Sequence, residues 1–76
     1  MNITQDEILS IFESVGVSVD VSTINGDALL SKIGIDSLEM MNVLLQIEEK
    51  FSIKIPDEEI DNLNTIDNIV SYLQRL

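Results

Sequence analysis

Apolar residues recur at helical spacing in three stretches of this chain, and each stretch carries its own start and stop signals. In the first, Ile8, Ile11, Phe12 and Val15 fall on one side of a helix. Thr4-x-x-Glu7 precedes them as a capping box, with Ile3 and Ile8 at the spacing of a hydrophobic staple, and Gly16 stands where a left-handed residue would end the helix. The second stretch runs from about Ser37 to Phe51. Asp36-x-x-Glu39 repeats the capping box there, with Ile35 and Met40 as the staple pair. This helix has two apolar stripes side by side: Met40, Leu44, Ile47 and Phe51 in one, Leu38, Met41 and Leu45 in the other. A helix so wide in its apolar surface must pack centrally or leave one stripe open to a partner or ligand. The third starts at Asn64 or Thr65, both good caps, and places Ile66, Ile69, Val70 and Leu73 on one face, with Arg75 in its last turn. Between the second and third, Pro56 interrupts the chain and Asp57-Glu58-Glu59-Ile60 reads as a short acidic turn or helix.

One stretch follows the period of a strand instead. Val15, Val17, Val19 and Val21 alternate with Gly16, Ser18 and Asp20, and Phe51, Ile53 and Ile55 alternate too. These two runs could pair as a ribbon. An isolated ribbon is marginal in water and no third strand is visible, so an extended loop from Gly16 to Ile35 that lays its valines over the bundle is the better expectation. Ala28, Leu29 and Leu30 are expected to form one helical turn within it. The fold class is therefore all-α: a small four-helix bundle, three main helices plus a short third one, with a long loop between helices 1 and 2.

Composition narrows the function more than the fold. The 76 residues suit one freestanding domain, 1–76, and 45% of them are hydrophobic, enough for a core in a chain that buries only about 60% of its unfolded surface. There is no cysteine for a disulfide or thiolate site and no histidine, the commonest general base and metal ligand, so no metal site is expected. Fourteen acidic residues against four basic ones give a net charge of −10, which repels nucleic acid and anionic membranes and suits partners with basic docking patches. The apolar runs are too short to span a bilayer and the acidic start is unlike a secretory signal, so a cytoplasmic monomer is expected.

The candidate chemistry lies at Gly34-Ile35-Asp36-Ser37-Leu38-Glu39. Ser37 falls in the first turn of a helix, where unpaired N–H groups and the helix dipole favour a phosphate. Lys32 is the only base near it in sequence, so Ser37 has no means of becoming a nucleophile by itself, and no catalytic residue is assigned. The serine reads as a substrate for another enzyme. Asp-Ser-Leu alone is a weak signal, since Asp is a common cap and Ser is common in a first turn.

The spacing around it is more specific. From Thr4 to Leu73 the chain resembles the acyl carrier protein family, through Gly34-x-Asp36-Ser37-Leu38, Glu48-Glu49-x-Phe51, Ile55-Pro56-Asp57-Glu58-Glu59 and the terminal Thr65-Ile66 helix. The resemblance implies that Ser37 receives a covalent 4′-phosphopantetheine from coenzyme A, by the action of a Mg²⁺-dependent phosphopantetheinyl transferase (holo-synthase). The thiol of that arm would then carry acyl groups as thioesters for fatty acid, polyketide or related lipid biosynthesis. It also implies that Asp36, Leu38, Glu39, Leu45, Glu48 and Glu49 face the transferase and the acyl-loading and acyl-processing enzymes. Leu44, Ile47, Ile55, Ile60 and Leu63 would take the acyl chain. For Glu39 a capping role explains the residue without a partner, and Glu48 and Glu49 would suit a solvated face equally well.

Departures from the family pattern bear on subtype. Lys32 and Asn42 stand where acidic residues are usual, Lys50 and Lys54 where acidic or neutral ones are, and Ile60 is bulkier than the small residue often found there. They suggest a specialised carrier. Two alternatives share the fold: a peptidyl or aminoacyl carrier, which Ile35 and the acidic clusters disfavour, and a non-carrier adaptor subunit in which Ser37 matters little.

Overall fold

Helix starts in this protein are set by side chains that take up the free N–H groups of the first turn. The computed structural model describes residues 1–76 and contains helices and loops with no strand. Helix α1 spans Gln5–Val15, α2 Ser37–Phe51, α3 Asp57–Ile60 and α4 Ile66–Gln74. Both expected capping boxes form. Thr4 Oγ1 accepts from the Glu7 N–H at 3.3 Å while Glu7 Oε1 accepts from the Thr4 N–H at 3.2 Å. At α2, Asp36 Oδ1 accepts from the Glu39 N–H at 2.8 Å and Glu39 Oε1 accepts from the Asp36 N–H at 3.2 Å. Of the two cap candidates for α4, Thr65 takes the N-cap and accepts from the Asn68 N–H at 3.0 Å, while Asn64 Oδ1 accepts from Asn68 Nδ2 at 2.8 Å. Gly16 ends α1 with φ +82, as its position suggested, and Arg75 is the C-cap of α4, one residue beyond the last helical turn. Pro56 caps α3 without a side-chain bond, its fixed φ suiting a helix entry.

The core is made where the apolar faces meet. Ile8 and Phe12 of α1, Val43 and Ile47 of α2, and Ile66, Ile69 and Leu73 of α4 are fully or almost fully buried, together with Ile3 and Leu30. Such side chains each contribute about 1.5–3 kcal/mol by leaving water. Helix α1 packs against both α2 and α4, whereas no Cα of α2 comes within 8 Å of one in α3 or α4. On that side of α2 the walls are joined by side chains alone, which leaves room for grooves.

The long connection from α1 to α2 is a draped loop, not a ribbon strand. Val15, Val17, Val19 and Val21 are half-buried against the core, with the residues between them exposed. A 3-10 turn at Val21–Thr23 is capped by Asp20. The hydroxyl and N–H of Ser22 both donate to that carboxylate, holding it below the usual Asp range. Further on, the Gly26 carbonyl accepts from the Asp67 N–H at 3.0 Å, so closely that a Cβ on Gly26 would run into the Gln5 and Asp67 side chains. The Leu30 N–H donates to the Asn64 carbonyl at 2.9 Å. That bond moves the expected turn: instead of Ala28–Leu30, the Leu29 carbonyl accepts from Lys32 and Ile33, and the Leu30 carbonyl from Ile35. Leu30 cannot donate back into its own loop while Asn64 holds its N–H.

Candidate functional site

Ser37 stands exposed as the first residue of α2, and the loop ahead of it explains how it is held there. Gly34 adopts φ +107, which reverses the chain beside Val19. Ile35 is then driven into the core, 3% exposed, and Asp36 caps the helix. The serine is therefore gripped by a buried residue two positions back and a cap one position back, while its hydroxyl faces water.

The electrostatics of the site are mixed. The N–H groups of Ser37 and Leu38 have no acceptor within the protein, so two donors remain for a phosphate oxygen. Against them stand the carboxylates of Asp36 and Glu39, and the helix start supplies no cation beside the serine. Such a site would hold a free phosphate poorly, whereas a phosphodiester joined to the hydroxyl has no need of that affinity. The chain has no histidine to activate the serine, and no group of three or more His, Cys, Asp or Glu side chains is placed to hold a metal ion.

Three grooves adjoin the serine or run on from it. An almost wholly apolar pocket of about 220 Å³ is lined by Ser37, Met40, Met41, Leu44 and Ile60. A second, about 200 Å³, continues along α2 with Met41, Leu44, Leu45, Glu48, Ile55 and Ile60 among its walls. On the other side of Met40 and Ile60 a more polar groove of about 220 Å³ contains Ser37, Asp36, Ser31, Asp61 and Leu63. Of the residues the family pattern assigns to an acyl pocket, Leu44, Ile55, Ile60 and Leu63 lie on these grooves. Ile47 is fully buried in the core and lines none of them. Met40 and Met41, placed by the sequence on the apolar stripes of α2 but not assigned to the acyl pocket, line them too. Helical spacing puts them on apolar stripes of α2, and only the rotation of the helix shows that they face the groove.

The six residues expected to face partners divide in two. Leu38 is 71% exposed, Leu45 is 50% exposed, and Glu49 is exposed with no side-chain hydrogen bond. Asp36, Glu39 and Glu48 are engaged within the protein. Glu39 caps α2 and also takes the Ser18 N–H on Oε2 at 2.7 Å, tying the long loop to the helix. Glu48 Oε2 takes the Ile55 N–H at 2.7 Å.

A capped helix that presents a bare serine hydroxyl at the mouth of an apolar groove, in a small acidic bundle, defines a carrier domain. The family model described as the phosphopantetheine attachment site matches residues 6–73, and the chain belongs to this family of carrier proteins. Its cofactor is accordingly a covalently attached 4′-phosphopantetheine. Among its relatives, the meromycolate extension acyl carrier protein of Mycobacterium tuberculosis is 36% identical, aligned over all of this chain and 70% of that protein. The acyl carrier protein of Kineococcus radiotolerans is 36% identical over 95% of this chain and 94% of its own length. In three dimensions the chain superimposes with a TM-score of 0.83 and 27% identity on a chain of similar length in a crystal structure. That structure is of engineered Bradyrhizobium japonicum glycine:[carrier protein] ligase complexed with carrier protein from Agrobacterium tumefaciens and ATP; the match covers 95% of this chain and 97% of that one. No helix is long and apolar enough to cross a membrane.

Proposed function

We propose that Ser37 is the residue that bears the arm, and that the protein is a non-catalytic acyl carrier. It accepts phosphopantetheine from a transferase, works as a cytoplasmic monomer, and presents thioesters to enzymes of lipid biosynthesis that dock on α2. The observation that carries this reading is the exposed Ser37 hydroxyl at a capped helix start, opening directly onto the groove of Met40, Met41, Leu44 and Ile60. When bound, the arm supplies the thiol on which an acyl group rides. The protein's own residues supply a fixed anchor and an apolar shelter for the acyl chain.

The test is direct. Apo-protein is incubated with coenzyme A, Mg²⁺ and a broad-specificity transferase, and intact masses are compared for wild type and Ser37→Ala. Wild type should gain one phosphopantetheinyl group and Ser37→Ala none. A wild type that gains nothing, or a variant that still gains the group, would sink the assignment.

A second reading has one observation behind it: the structural likeness to a chain from a glycine:[carrier protein] ligase complex. If the cargo were an aminoacyl group, an adenylating ligase should charge the holo-protein with glycine. The apolar groove at Ser37 favours a fatty acyl cargo, and a glycine-charged product would reverse that preference.

A further inference from the structure

Glu48 behaves unlike a charge held out for a partner. It is half-buried, and its Oε2 takes the Ile55 N–H at 2.7 Å, the short distance of a charge-assisted bond. Its own carbonyl also takes the Ser52 N–H and, at 3.1 Å, the Ile53 N–H, so three N–H groups of the linker between α2 and α3 end on this one residue. Nothing else ties that side down by hydrogen bonding. The bonds made by α3 run to its own neighbours: Glu59 to Pro56, Asn62 to Glu59 and Leu63 to Ile60. Pro56 brings no N–H, and α3 has only four residues with no side-chain cap. The backbones of α2 and α3 stay more than 8 Å apart at every Cα. Glu48, Ile55 and Ile60 line the same groove of about 200 Å³.

We propose that Glu48 is the latch of this groove, a positioning residue whose carboxylate holds Ile55 and thereby the wall that shelters the cargo. The inference deepens the carrier reading and rests on it for the sheltering role. The bond itself can be tested in the unmodified chain. Two variants, compared with wild type, separate the latch from the charge. Glu48→Gln removes the charge but keeps a carbonyl oxygen able to accept from the Ile55 N–H. Glu48→Ala removes both.

The first readout is amide hydrogen exchange of the unmodified protein. Ile55 should exchange about tenfold faster in Glu48→Ala, as expected for loss of a hydrogen bond to a charged group, and only about threefold faster in Glu48→Gln, whose neutral oxygen still accepts but about half as strongly. The amides of Phe12 and Val43 should keep their rates, showing that the core is intact. The second readout is cleavage by hydroxylamine of an octanoyl thioester on the arm. It should run several-fold faster in Glu48→Ala than in the other two, while an acetyl thioester, too short to enter the groove, should be cleaved alike in all three. Equal Ile55 exchange in all three proteins overturns the latch. Faster Ile55 exchange in Glu48→Ala with equal octanoyl cleavage overturns the sheltering role. If wild type accepts no arm, the carrier reading fails and the exchange data still decide the latch.

Discussion

Gly34→Ala should weaken the fold because the turn it makes is closed to an L side chain. The backbone there sits at φ +107, beyond the ordinary left-handed well. Residues held in such sparsely populated regions cost about 1–3 kcal/mol. Replacing glycine also stiffens the unfolded chain, which returns about 0.4–1 kcal/mol. The new Cβ would lie 3.2 Å from Val19 Cγ1, a contact that a half-buried loop side chain relieves by moving a few tenths of an ångström. Unwinding the turn instead would break the 3.1 Å bond from the Ile35 N–H to the Leu30 carbonyl and pull Ile35 from the core, a larger loss. The net cost is about 1–2 kcal/mol, which for a domain of this size lowers Tm by roughly 5–15 °C. Thermal and urea unfolding followed by circular dichroism would measure it. Gly16→Ala is the comparison: φ is +82 there and nothing lies within 4 Å of the added Cβ, so it carries the backbone penalty without the crowding. A Tm for Gly34→Ala unchanged to within about 1 °C would mean the turn relaxes freely, and the account of how Ser37 is positioned would have to be abandoned.

Removing the side chain of Glu39 should release two things at once, its half of the capping box (the bond from the Asp36 N–H) and the Ser18 tether, while Asp36 still caps α2, so Glu39→Ala is expected to lose about 1–3 kcal/mol in urea unfolding. Glu39→Gln, which keeps an acceptor oxygen, should lose less, and equal losses would count against the tether. The net charge of −10 makes self-repulsion a standing burden. Raising salt from about 0.01 M to about 0.15 M shrinks the screening length from roughly 30 Å to about 8 Å, and Tm should rise. A fall in Tm would show that attractive pairs outweigh the repulsion.

What could be read along the chain was whatever is decided within a few residues. The boxes Thr4/Glu7 and Asp36/Glu39 close over three positions, and Gly16 ends its helix by its own conformation, so the boundaries of α1 and α2 follow from local spacing. The half-burial of the alternating valines was legible for the same reason. The tethers were not. The Ser18 N–H lies 21 residues from Glu39, and a main-chain donor such as Ile55 N–H leaves no mark in residue type. The groove lining was also hidden. Two neighbouring apolar stripes on α2 fix its amphipathic width but not its rotation, and it is the rotation that buries Ile47 completely while turning Met40 and Met41 toward the groove. The displaced turn after Leu29 depends on the Asn64 carbonyl, more than thirty positions away.

These tethers change what α2 offers to a docking enzyme. Glu39 already has both oxygens on N–H groups of the protein and Glu48 has one, so a partner's cation must compete with bonds as short as 2.7 Å for them. Glu49 is the acidic residue of α2 left with no such bond, and Asn42 and Lys50 dilute the charge on the same helix. Exposed ion pairs contribute only about 0–1 kcal/mol each. The apolar residues Leu38, Met41 and Leu45, spaced i, i+3 and i+7, are 71%, 49% and 50% exposed, and covering that remaining surface yields roughly 0.7–2 kcal/mol each. Affinity at this face is thus weighted toward the apolar stripe, with charge left to govern approach and orientation. The stripe shares Met41 and Leu45 with the groove that Glu48 latches, so an enzyme that covers it also rests on one wall of the cargo's shelter. If enzymes dock on this stripe as proposed, docking and cargo exposure would be coupled through the same side chains, without any need for a signal to travel through the core.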